Sequence, residues 1–151
     1  MKRREKKNNK GFSLVELIVV IAIMIVLVAV LAPVFTKYVE QSRRATDVQN
    51  ANTIASAIVV GVTDGEKTIT PNAWTEFTNT TTTGIKSVPK VKGGEVAGGK
   101  FFYFYDSTDN SVKVCIAAES AKASDTGKKS ECSGDLTDDS KTEAYKNSAL
   151  Q

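Results

Sequence analysis

The first sixty residues fall into three blocks of different polarity. Residues 1–10, M-K-R-R-E-K-K-N-N-K, are almost wholly polar. Leu17–Ala32 is a run of sixteen apolar residues, L-I-V-V-I-A-I-M-I-V-L-V-A-V-L-A, with no polar side chain inside it. From about Thr36 the pattern becomes periodic. Val48, Ala51, Ala55 and Ile58 recur at three- and four-residue spacing with Ile54 beside them, opposite a polar face of Glu40, Gln41, Arg43, Arg44, Asp47, Gln49 and Asn50. Together the blocks predict one helix from Phe12 to about Val60, roughly 70 Å long at about 1.5 Å per residue. Its first half is apolar all round, as a membrane-spanning helix must be, and its second half lays one stripe on a sheet. Gly61 is the predicted stop, where a left-handed residue costs least.

Beyond the helix the pattern shortens to strands and turns. Asp64-Gly65 reads as a tight turn, and Thr70-Pro71 as the cap of a short helical turn carrying Trp74 and Phe77 as core anchors. Thr78–Thr83 is low in complexity and reads as an exposed loop, with Asn79-Thr80-Thr81 fitting the N-glycosylation pattern. Gly93-Gly94 and Gly98-Gly99 bracket a flexible connection. Lys100–Tyr105 and Val112–Ala117 predict a strand pair around a turn at Asp106–Ser111. Alternation sets Phe102 and Phe104 on one face and Phe101, Tyr103 and Tyr105 on the other. The tail from Glu119 to Gln151 is small and polar, and part of it reads as disordered. One helix and one small antiparallel sheet make an α+β chain.

Charge sharpens the reading of the N-terminus. The first ten residues hold six Lys/Arg and one acid, a cytoplasm-facing head by the positive-inside rule. A secretory signal would also have such a head, but its best cleavage site, Val30-Leu31-Ala32, is followed at once by Pro33. A plain single-span anchor leaves Glu16, a lone carboxylate at the edge of the apolar run, without a role. Such a charge costs on the order of 2.5–3.5 kcal/mol at mid-bilayer and less near the interface.

The segment Gly11-Phe12-Ser13-Leu14-Val15-Glu16-Leu17 closely resembles the class III signal of type IV pilins and pseudopilins, the resemblance covering roughly residues 1–60. It implies the type IV pilin fold. It also implies a basic leader, residues 1–11, that prepilin peptidase removes after Gly11, leaving Phe12 as a methylated N-terminus. Glu16 then matches the family's acid at the fifth mature position, and Pro33 a proline that interrupts the N-terminal helix. Ser13 stands where Thr is commoner. The new Phe12 amine would be a partner for Glu16 of a neighbouring subunit. The domain plan is thus leader 1–11, hydrophobic transmembrane and assembly helix 12–35, its amphipathic continuation 36–60, and a β-rich globular domain 61–151.

On this reading the mature chain loses its basicity. The full chain has 20 Lys/Arg and 17 Asp/Glu; without the leader it keeps 14 and 16, a net of −2, so no nucleic-acid partner is implied. The partners are other copies of the chain in a helical homopolymer, prepilin peptidase, the pilus assembly machinery and, before assembly, the cytoplasmic membrane. The filament would lie outside the cell and serve adhesion, motility or DNA uptake.

Cys115 and Cys132, the two cysteines, read as an intramolecular disulfide outside the cytoplasm that staples the polar tail to the sheet. They lack further soft ligands for a metal, and a redox C-x-x-C is absent. Asp135, Asp138 and Asp139 miss the EF-hand spacing and read as a solvated acidic loop. With no histidine, no G-x-G-x-x-G and no Walker-type loop, the chain offers no catalytic constellation, no cofactor site and no metal site. The alternatives are a type II secretion pseudopilin or competence pilin of the same fold, and, from another class, a monomeric membrane-anchored surface binding domain.

Overall fold

The computed structural model describes residues 11–65, 69–78, 84–85, 87–94, 96–118, 120 and 135–147; residues 1–10 of the expected leader, the Asn79-Thr80-Thr81 pattern and Cys132 lie outside these. Among the described residues the elements are, in chain order, α1 (Leu14–Thr63), β1 (Trp74–Glu76), β2 (Lys100–Asp106), β3 (Ser111–Ala117) and α2 (Asp139–Asn147). The chain divides into two compact units, residues 1–36 and residues 37–151, and α1 belongs to both. The arrangement is the α+β architecture that the pattern predicts.

Helix α1 continues past Gly61, which is buried within its last turns, and ends at the Asp64-Gly65 turn. The predicted stop is therefore four residues early. Gly65 has φ +80°, the left-handed conformation that closes a helix at least cost in glycine. The Asp64 N–H donates to the Val60 carbonyl at 2.9 Å and the Gly65 N–H to that of Val62 at 3.1 Å. Helix α1 also stays helical through Pro33, so the proline does not melt it.

In the second unit three antiparallel strands pair in the order β1-β2-β3, with Trp74 opposite Phe104, Phe102 opposite Cys115 and Asp106 opposite Ser111. The aromatic alternation of β2 divides as predicted. Phe101, Tyr103 and Tyr105 join Val114, Ile116, Val91 and Phe77 against the α1 stripe Val48, Ala51, Ile54 and Ile58. Phe102 turns the other way, with Cys115, Ala117 and Trp74. Trp74 and Phe77 lie on and just after a strand, not on the helical turn predicted for them. Their odd spacing sends them to opposite faces of the sheet.

The C-terminal segment adds a helix that the pattern does not predict. Among the described residues of the tail, Asp135–Asn147 is ordered against the domain. Leu136 is fully buried in the core, and its N–H donates to the Val114 carbonyl at 2.8 Å. Asp135 accepts the Val114 and Thr137 N–H groups, so this turn covers the edge of β3 that β2 leaves open. Asp138 then caps α2 by accepting the Ser140 N–H at 3.0 Å. Asp135 is thus engaged at the β3 edge, whereas the Asp138 side chain, although it caps α2, stays 42 % exposed and Asp139 is exposed, as expected of a solvated acidic segment.

Two further expectations are corrected by packing. The glycine-bounded connection is not a loose linker: Val91 and Gly98–Gly99 bond each other, with Gly98 N–H to Val91 carbonyl at 2.7 Å. On α1, Asp47 is not on a solvated face but fully buried, and Glu40 and Arg44 are half-buried. The spacing explains it. Positions 40, 44, 47, 51, 54 and 58 form one continuous stripe, polar at its start and apolar afterwards.

Candidate functional site

Gly11, Phe12 and Ser13 precede the helix in irregular backbone, and Phe12 is 87 % exposed. Ser13 is the residue just before α1, and its carbonyl accepts the Leu17 N–H at 3.2 Å. The Glu16 Oε2 reaches back to accept the Ser13 N–H at 2.8 Å. This is the side-chain half of a capping box, in which a carboxylate three residues into the helix satisfies a donor at its start. The carboxylate also sits where the helix dipole favours negative charge, worth about 0.3–1 kcal/mol. The Ser-x-x-Glu spacing was legible in the sequence as a helix start, a signal overshadowed by the apolar run behind it.

From Phe12 to Phe35 eighteen large apolar side chains are exposed, among them Leu17, Ile18, Ile25 and Leu31. Burying one such side chain is worth roughly 1.5–3 kcal/mol, so leaving this surface in water forfeits some tens of kcal/mol. Ordinary soluble surfaces carry no apolar patch of this extent. The helix is long and apolar enough to cross a membrane.

Pro33 lies inside α1, about five turns after the cap. It has no N–H, so the Ala29 carbonyl loses its usual helical donor. The Thr36 hydroxyl donates to the Pro33 carbonyl at 3.0 Å, a second local departure from the regular ladder. The structure thus brings Gly11, Phe12 and Glu16 together at one helix start and sets Pro33 apart on the same helix. Cys115 belongs to the other unit, fully buried in β3 and disulfide-bonded.

Residues 6–32 match the family model described as the prokaryotic N-terminal methylation motif. The match supports a type IV pilin-like family. It takes in residues 6–10, the Gly11–Phe12 junction, the capping carboxylate Glu16 and most of the exposed apolar run, and it fits the precursor of a pilin-like or pseudopilin protein anchored in a membrane. The motif implies processing by prepilin peptidase in a pilus-assembly context, and it is a structural, pilin-type signature and not that of an enzyme family. No curated relative and no solved structure matches the chain.

Proposed function

We propose that the chain is the precursor of a structural subunit of a type IV pilus filament. The observation that carries this reading is the conjunction at the helix start: a methylation motif whose Gly11–Phe12 junction is exposed, followed by an apolar helix whose side chains are exposed among the described residues. Removal of the leader after Gly11 frees the Phe12 amine. Glu16 of one subunit then pairs with the Phe12 amine of a neighbour, while the apolar helices bundle and cover the surface that each leaves bare. In such a dry core an ion pair is strongly held once made and costly to leave half-made, which favours a single axial register. A head-to-tail contact that does not close on itself yields an open helical polymer. Pro33 softens the helix that must leave the bilayer and repack, and a Cys115–Cys132 disulfide braces the extracellular domain. Adhesion, motility and DNA uptake are all filament functions compatible with this subunit.

The experiment is the intact mass and N-terminal peptide of material sheared from the cell surface. A mature chain beginning at methylated Phe12, recovered in high-molecular-weight assemblies, is the expected result. A chain beginning at Met1 and confined to the membrane fraction would overturn the reading in favour of a simple membrane-anchored domain.

A further inference from the structure

The polar end of the α1 stripe is held by a part of the chain more than forty residues away. Asp47, with no exposed surface, accepts the Lys92 and Gly93 N–H groups, each at 2.8 Å. The Tyr145 hydroxyl of α2 lies 3.2 Å from Asp47 Oδ2 and 3.2 Å from the Gly93 carbonyl. About two turns earlier on α1, the Glu40 carboxylate accepts the Gly94 N–H and the Arg44 Nε–H. Arg44 in turn donates to the Tyr145 carbonyl at 3.1 Å and places its guanidinium 5.2 Å from the centre of the Tyr145 ring. The loop approaches so closely that a Cβ on Gly93 would lie 2.6 Å from Arg44 Cγ and 2.9 Å from the Arg44 backbone nitrogen.

Two different forces therefore hold the second half of α1. From Val48 onward the helix contributes buried apolar side chains to the core, and before Val48 it contributes none. Between Glu40 and Asp47 the contacts are hydrogen bonds, an ion pair and one cation–aromatic contact. Hydrophobic burial is non-directional and tolerant of small shifts, whereas these bonds need the loop and α2 in place. We propose that α2 and the Lys92–Gly94 loop form a strap that binds residues 40–47 of α1 into the globular unit, and that opening it frees this stretch while the sheet and the apolar stripe stay closed.

Tyr145 and Glu40 are held in the protonation states that the closed strap needs, whereas burial works against the Asp47 charge. Burial, with the Asp47 charge beside it, pushes the Tyr145 phenol above its ordinary range, so it remains a neutral donor. The Gly94 N–H and Arg44 hold the Glu40 carboxyl below its usual value against the opposing effect of burial. Burial raises Asp47 in spite of its three donors. The strap does not depend on the filament reading. Within that reading, it sets how many turns of α1 belong to the head and how many are available to neighbouring helices.

The test is hydrogen–deuterium exchange, read by mass spectrometry on the full chain in detergent micelles, for the wild type, Tyr145→Phe and Asp47→Asn. Tyr145→Phe keeps the ring against Arg44 and removes the hydroxyl. It should speed exchange at residues 92–94 and 40–47 by about three- to tenfold, the effect of losing one hydrogen bond. Asp47→Asn should do so by more than tenfold, with residues 54–58 and 101–117 within twofold of wild type in both. Unchanged exchange at residues 40–47 and 92–94 would overturn the proposal. So would an equal rise across the sheet, which would make these contacts part of the global stability alone. Should Asp47→Asn fail to fold, Tyr145→Phe decides the question.

Discussion

Leu136→Ala probes how the C-terminal segment is held. Leu136 has no exposed surface, and its backbone is pinned to Val114, so the segment cannot slide to fill a void. Losing three carbons from a fully buried side chain removes about 2.4 kcal/mol of transfer free energy at about 0.8 kcal/mol per carbon. The unfilled cavity adds to that, and the measured range for such changes is about 2–5 kcal/mol. We take about 3 kcal/mol, a large share of the roughly 5–15 kcal/mol that holds a typical domain. At a urea dependence of about 2 kcal/mol per molar, the midpoint should fall by roughly 1.5 M. The chain has one tryptophan, Trp74, whose ring packs 5.6 Å from that of Phe104 in the sheet, so its fluorescence reports the sheet and not the substituted segment. The measurement is made on the full chain in micelles with the disulfide intact. A midpoint shift below about 0.3 M, or one that emerges only after reduction, would show that a covalent staple alone retains the tail, refuting the argument from burial.

Three other predictions rest on separate contacts. Glu16→Gln should keep the Ser13 cap, since an amide oxygen can still accept, and should insert normally but assemble poorly; Glu16→Ala should lose both the cap and assembly. Wild-type filament yield from either variant, measured by shearing, would sink the pairing mechanism. Cys115→Ser should cost about 3 kcal/mol if the partner is Cys132, for a closed loop of about seventeen residues, and reducing the wild type should reproduce the loss in urea titration. Tyr145 gives the pH dependence. Its folded pKa is raised above the ordinary 10.0, so the stability it lends is complete below pH 10 and declines as the pH rises beyond. Alkaline unfolding curves should therefore be flatter for Tyr145→Phe, and identical slopes would contradict the assignment.

The long helix, its apolar first half, the aromatic hairpin and the division of its faces were all decided locally. Each follows from a period, a run or a turn within a short window, because a period of 3.6 or 2 aims side chains without reference to distant chain. Glu16 as a cap was equally local, carried by the Ser13-x-x-Glu16 spacing. What depended on tertiary structure were the residues whose role is set by a partner far along the chain. Asp47 looks like a surface acid until residues 92–93 and Tyr145 supply the donors that permit its burial. Gly93 reads as flexibility until Arg44 is found where its side chain would be. Part of the tail reads as disordered because Leu136 stands alone within a polar stretch, Gly134–Ser140. Its burial becomes possible only after β3 exists to receive it, and no pattern in sequence records a contact that a second element must first create.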